Sequence, residues 1–245
     1  MSGNHKVDDE KETNSQRNMV CVNCGKFVQS VYVEYSPGNI RLSNCAYCEG
    51  TVDKYAEYEI MIIIIDAVLH KYEAFRHVFF NYPQLNRLNL QALIWKAALC
   101  SLFLDTWRWT SVGGEDVNVI EWDSPTCFFI TAGKAVLQVI VLNFAYLSGI
   151  LLTLNVLSKR KSDMKSKYRH VFLAVLFSSH FKFFVIAMMV WEFSFLMGLM
   201  VDLLIHTSNL VAVEVLLNTS RFHAATAVTG GIVSKCLIFL LFQHG

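Results

Sequence analysis

Cys21, Cys24, Cys45 and Cys48 form two C-x-x-C pairs near the start of the chain. Each pair puts two sulfurs on one tight turn, and two such hooks supply the thiolates of a tetrahedral zinc site. The spacer, residues 25–44, is 20 residues long, at the upper end of the zinc-ribbon range. A four-cysteine site is coordinatively closed, so the expected cofactor is a structural Zn with no open position for a substrate. The alternatives are a disulfide-linked hairpin or a redox-active C-x-x-C pair.

A second group of chemically expressive residues lies in apolar surroundings: Lys96, Asp105, Lys134, His180, Lys182, Glu192, Asp202, Glu214 and Lys235. Ionisable side chains inside membrane helices are costly and point to function by default. Asp105, Lys134 and Glu192 fall near the ends of apolar stretches, where side chains reach head groups. His180 and Lys182 sit near the middle of Val171–Trp191, and Asp202 is placed to pair with Lys182 across helices. These three are the candidate lipid-binding residues, lining a cleft for a lipid head group or sterol hydroxyl; the alternative is structural helix–helix pairing. No G-x-S-x-G elbow, H-E-x-x-H pair or Walker loop occurs, and the chain is not expected to be an enzyme. Gly113-Gly114 and Gly230-Gly231 are isolated pairs that carry little weight.

The elements that must position these groups follow from the distribution of apolar residues. The chain has 245 residues, 54% of them hydrophobic and 17% charged, with a net charge of +1. Its mean hydropathy is +0.39. Soluble domains carry about 25% charged residues, so a membrane protein is expected, and the near-zero charge gives no case for nucleic acid. Residues 1–18 read as a disordered tail. Residues 19–52 read as a small β zinc ribbon: Lys26–Tyr35 is β-branched and aromatic, Ser36-Pro37-Gly38-Asn39 is a turn, and Ile40-Arg41-Leu42 follows. Gly25 and Gly50, just past the two hooks, supply the backbone freedom that turns amides toward thiolates. Residues 53–82 form an amphipathic helix, either lying in the bilayer interface or packed on the ribbon.

Residues 88–245 read as an all-α polytopic membrane domain of about five spans, with four or six as alternatives. A first span covers Leu88–Trp107, a second lies within Cys127–Leu157, and a third runs from Val171 to Trp191. Phe193–Ile205, Leu210–Leu217 and Ala224–Phe242 make two spans, or one span with re-entrant pieces. Cys100, Cys127 and Cys236 read as buried small hydrophobes. The basic link Ser158–His170 is placed in the cytosol and the acidic link Arg108–Thr126 on the opposite side. Counting back puts the cysteine head in the cytosol, where thiols stay reduced. The start of the chain has no secretory signal core, which agrees.

Two segments carry a family resemblance. Cys21-Val22-Asn23-Cys24-Gly25 and Cys45-Ala46-Tyr47-Cys48 lead into Asp66-Ala67-Val68-Leu69-His70-Lys71 and Ala74-Phe75-Arg76-His77-Val78-Phe79-Phe80-Asn81, with membrane spans beyond. This resembles the Arv family of endoplasmic reticulum membrane proteins, residues 19–82 corresponding to its N-terminal homology domain. The resemblance implies sterol homeostasis: uptake, trafficking and distribution of sterols and other lipids between membranes, with effects on sphingolipids. It also implies a role in glycosylphosphatidylinositol anchor assembly. The expected location is the endoplasmic reticulum membrane, with the Golgi as a second station, and the expected partners are membrane lipids, sterol first. A scaffold for lipid- or anchor-synthesis enzymes is the alternative function. A membrane ubiquitin ligase is a weaker third, since a RING requires eight ligands.

Overall fold

A computed structural model describes residues 19–82, 90–112, 125–157, 164–178, 181–182 and 195–244. The chain divides into two compact units, Met1–Leu90 and Gln91–Gly245. His180, Glu192, residues 158–163 of the basic link and residues 113–124 of the acidic link lie outside the described residues.

The N-terminal unit begins with two hooks built alike. In the first, Gly25 N donates to Cys21 O at 2.8 Å and Cys21 N to Lys26 O at 2.9 Å. In the second, Glu49 N donates to Cys45 O at 2.9 Å and Cys45 N to Gly50 O at 2.8 Å. Each hook is closed by an antiparallel bridge, Val20 to Phe27 and Asn44 to Thr51. The apolar run from Lys26 is therefore not one strand. Its first part returns along the first hook, and β1 spans only Tyr32–Ser36, paired antiparallel with β2, Asn39–Leu42. Gly38 makes the turn between them at φ 82°. The hooks place the left-handed residues at Gly25 (φ 72°) and Glu49 (φ 60°). Gly50, expected to play that part, does not, because the turn reverses one residue earlier.

Residues 53–82 form broken pieces rather than one helix. A 3-10 turn over Lys54–Glu57 is capped by Asp53. Helix α1, Ile60–Val68, ends where His70 turns left-handed at φ 58°. Helix α2, Tyr72–Arg76, runs into a π-helical turn over His77–Asn81. Helix α1 buries Ile63, Asp66 and Ala67, while Ile60, Met61, Ile62, Ile64 and Ile65 remain exposed.

The second unit is helical: α3 (Leu90–Val112), α4 (Pro125–Leu157), α5 (Met164–Ser178), α6 (Phe195–Leu217) and α7 (Arg221–His244). Three stretches are long and apolar enough to cross a membrane among the described residues: Phe129–Leu157, Gly198–Leu217 and Arg221–Phe242. The expected first span forms α3 but is not among them, because Lys96, Asp105 and Arg108 dilute it. Of the expected third span, residues 171–178 belong to α5 and Phe181 and Lys182 are 3-10, while residues 179–180 and 183–191 lie outside the described residues. The last segments resolve as two helices, joined at Asn218 (φ 47°), with the Ser220 hydroxyl accepting from His223 N at 3.4 Å. Cys100 and Cys236 are exposed on this unit rather than buried, consistent with surfaces meant for lipid.

Helices α4 and α7 pack through glycine. A Cβ on Gly149 would lie 2.7 Å from Ser234 Cβ and 2.8 Å from Gly230 O. One on Gly231 would lie 2.9 Å from Tyr146 O. The Gly230-Gly231 pair, given little weight by its sequence, is thus what lets two backbones meet closely, as small residues do between membrane helices. We expect Gly149→Leu to destabilise the unit by about 1–3 kcal/mol through overpacking. Thermal unfolding of the full chain in detergent checks it.

Candidate metal centre and its latch

The hooks bring Cys21, Cys24, Cys45 and Cys48 together, with all four sulfurs within 4.8 Å of one another. Cys21 Sγ lies 3.7 Å from Cys48 Sγ, and Cys24 Sγ lies 3.7 Å from Cys45 Sγ. Ligands about 2.3 Å from a tetrahedral zinc would be about 3.8 Å apart. A disulfide needs about 2.05 Å, so this geometry favours metal over either disulfide alternative. The four thiols can therefore hold a metal ion, and their softness suits zinc. Burial pushes the Cys21 thiol up to about 12. The Tyr47 backbone N–H, 3.5 Å from Cys45 Sγ, pulls that thiol down to about 7. Cys45 is the readiest thiolate, whereas Cys21 gives up its proton only to a cation that replaces it.

What orients the hooks comes from the segment after them. Arg76 Nη1 donates to Val22 O at 2.8 Å and to Asn23 O at 2.7 Å, so its guanidinium clamps the first hook. That guanidinium also lies over Gly25, where a Cβ would approach Arg76 Cζ to 3.3 Å. Asn81 behaves as a strand partner for Val20: its Oδ1 accepts Val20 N at 2.9 Å, and its Nδ2 donates to Val20 O at 2.9 Å.

Asp53 joins these parts. It is fully buried, and its Oδ1 accepts the Tyr55 N–H at 3.0 Å. Its Oδ2 lies 2.7 Å from His77 Nδ1 and accepts Asn81 Nδ2 at 2.6 Å. His77 Nε2 is buried and has no hydrogen-bond partner among the described residues. A second link holds α1: Asp66 accepts Lys71 Nζ at 2.8 Å and the Tyr55 hydroxyl at 2.7 Å. Lys71 holds the Asp66 carboxyl below its usual range, and burial together with Asp66 raises the Tyr55 phenol. Asp53, Tyr55, Arg76 and Asn81 were not singled out as site residues. The Arg-His-x-x-Phe-Asn segment was visible only as a family mark, although three of its members bind hook or carboxylate.

The second candidate group is rearranged. Lys182 Nζ donates to Asp105 Oδ2 at 2.7 Å and Ser101 Oγ at 2.8 Å, so it pairs with α3 rather than with Asp202. Asp202 instead takes the Arg108 guanidinium through both oxygens, at 2.5 and 2.6 Å. The expected Lys182–Asp202 pair fails because Arg108 offers a bidentate fork that one ammonium cannot match. Asp105 is tied inward rather than reaching toward head groups.

The Arv1-like family model matches residues 20–213, across the hooks, the latch and most of the helical unit. The chain belongs to the Arv1-like family. This Arv1-like chain is 34% identical over 224 residues to Protein ARV 1 of Arabidopsis thaliana, covering 91% of this chain and 84% of the relative. It is 30% identical to the Protein arv1 homolog of Dictyostelium discoideum, covering 92% and 94% of the two chains. Protein ARV1 of Saccharomyces cerevisiae is 40% identical over 79 residues, 29% of this chain and 25% of that one. No solved structure matches.

Two variants test the Arv1-like centre. In the full chain, Cys24→Ser is expected to abolish binding of one zinc, measured by metal analysis, and to open the head to protease while the helical unit stays inserted. Asp53→Ala leaves three buried donors without their acceptor. It should cost about 3 kcal/mol or more, seen as proteolysis of the N-terminal unit at lower temperature.

Proposed function

We propose that this membrane protein is a non-enzymatic mediator of sterol homeostasis in the endoplasmic reticulum, acting in the uptake, trafficking and distribution of sterols and other lipids. Family membership over residues 20–213 carries the reading. The metal in this reading is a structural zinc on four cysteines, and a closed thiolate site of that kind supports a role in folding rather than chemistry. The exposed isoleucines of α1 fit a bilayer interface, and supply the N-terminal unit with a seat on the cytosolic face. The apolar spans would accommodate the lipid.

A scaffold for enzymes of lipid or glycosylphosphatidylinositol synthesis is the second reading. Its support is the exposed α1 face, which suits a protein partner as well as lipid. The purified full chain in nanodiscs, titrated with labelled sterol, separates the two. Saturable binding is expected. No binding, with synthetic enzymes co-purifying stably, overturns the sterol reading in favour of the scaffold.

A further inference from the structure

A cavity of about 290 Å³ opens in the N-terminal unit, and Tyr32, Tyr55, Tyr58, Tyr82 and His77 give it aromatic walls. The Tyr55 ring stands at its centre, 5.7 Å from Tyr58 edge-on and 5.6 Å from His77, and His77 lies 5.7 Å from Tyr82. Tyr32 reaches in from β1, its hydroxyl donating to Ala56 O at 3.3 Å. Exposure separates floor from rim. Tyr55 and His77 are 1% exposed, whereas Tyr58 is 45% and Ile60 57% exposed. Ile60 also lines the cavity, so the rim continues into the apolar face of α1, where Met61 and Ile64 are exposed as well. The volume lies at the lower end of ligand sites, about 300–1,000 Å³. It suits a lipid head group rather than a whole lipid.

His77 sets what this cavity can bind. Its Nδ1 lies 2.7 Å from Asp53 Oδ2, and the carboxylate holds the ring proton on that nitrogen. Nε2 is then a bare acceptor, buried and without a hydrogen-bond partner among the described residues. A buried polar atom is costly to leave unmatched, so it calls for a ligand that donates an N–H or O–H. The tyrosine rings add a second demand, because their faces carry partial negative charge and attract cations. Lys54 Nζ, 2.6 Å from Glu73, already lies 5.2 Å from the centre of the Tyr55 ring. Carboxylates behind the walls act in the same direction. After burial, Glu57 and Asp53 raise the Tyr32 phenol, and the hydrogen bond to Asp66 raises that of Tyr55. A primary ammonium meets both demands. A trimethylammonium has no N–H for Nε2, and a phosphate would face a lone pair and carboxylates. Because Nε2 is covered, the ammonium reaches it by turning a flanking ring, and Tyr58 at the rim has the room to move.

We propose that this cavity binds the ammonium of an ethanolamine phospholipid head group, with His77 Nε2 as its acceptor and the tyrosine rings as its walls. The inference rests on the lipid-handling reading and on α1 lying at a bilayer surface, where Ile60 sets the rim beside the head groups. It gives the N-terminal unit a lipid of its own, distinct from any sterol held by the spans.

The test uses the purified full chain in detergent, titrated with labelled phosphatidylethanolamine, phosphatidylcholine and phosphatidic acid. Phosphatidylethanolamine is expected to bind best. His77→Asn keeps a donor for Asp53 but removes Nε2, and should weaken that binding about tenfold, the loss of one charge-assisted hydrogen bond. Tyr58→Leu should weaken it severalfold by removing a ring, while Tyr58→Phe should retain it. Tyr35→Leu, at an exposed tyrosine of β1 outside the cavity, should leave it unchanged. Limited proteolysis of the N-terminal unit checks the fold of each variant, and if His77→Asn unfolds, Tyr58→Leu decides. Equal affinity for phosphatidylethanolamine and phosphatidylcholine overturns the site, as does unchanged binding in the folded variants. A preference for phosphatidic acid overturns it too, since Nε2 would then be a donor. Free ethanolamine that binds as tightly as the lipid overturns the lipid source. Sterol titration in parallel keeps the two ideas apart. Sterol binding without phosphatidylethanolamine binding overturns this site alone, and the reverse overturns the sterol reading while supporting the site.

Discussion

A carboxylate taken fully out of water must be met by donors on every side, and Asp53 imposes that demand on the whole N-terminal unit. Its oxygens accept from the Tyr55 backbone, His77 and Asn81, so the 3-10 turn and the π-helical turn cannot separate without orphaning a buried charge. Asn81 passes the constraint on to Val20, the residue before the first cysteine. Metal hooks, turn and helix thus share one register. Loss of any partner is felt at the others because the low dielectric makes unmatched polar groups expensive.

The cysteine centre depends on that frame while also reinforcing it. Two hooks of the same hydrogen-bond pattern converge their sulfurs to the spacing a tetrahedral ion needs. Glu49 adopts a left-handed φ of 60° to do so, although it has a Cβ. A backbone strain of this kind is tolerable where the surrounding contacts over-determine it, and the hook bonds of the second cysteine pair supply them. Arg76 does the corresponding work at the first hook by capping two carbonyls.

In the helical unit the organising constraint is proximity. Gly149, Gly230 and Gly231 let α4 and α7 approach to backbone contact, where dispersion and close packing replace the hydrophobic effect that lipid cannot supply. Around this dry seam Tyr146 and Asn209 join α4 to α6, with Asn209 Nδ2 donating to the Tyr146 hydroxyl at 2.8 Å and Ser178 of α5 donating to Asn209. The ion pairs stand apart from this neutral network, and their arrangement follows from which cation has the better fork.

Much of this protein was legible in its residues. Two C-x-x-C pairs announce a four-sulfur centre because two residues are the spacing that puts both sulfurs on one turn, and this local rule held. Long apolar runs announced membrane helices, since their length must match a bilayer. The Arv resemblance was carried by short segments, in which Arg76 and Asn81 bind the backbone at the first hook. What pattern alone misjudged was in part the local turn geometry and in part the non-local pairing. Gly50 was given the turn that Glu49 makes, and Lys182 was given Asp202 when Asp105 stood nearer. The Gly230-Gly231 pair was set aside although a second helix rests on it. Composition and spacing determined the four-cysteine cluster and the membrane character, and short motifs carried the family resemblance. Only the tertiary structure decided who partners whom, because a buried charge or a bare glycine is satisfied by whatever distant segment the fold brings to it.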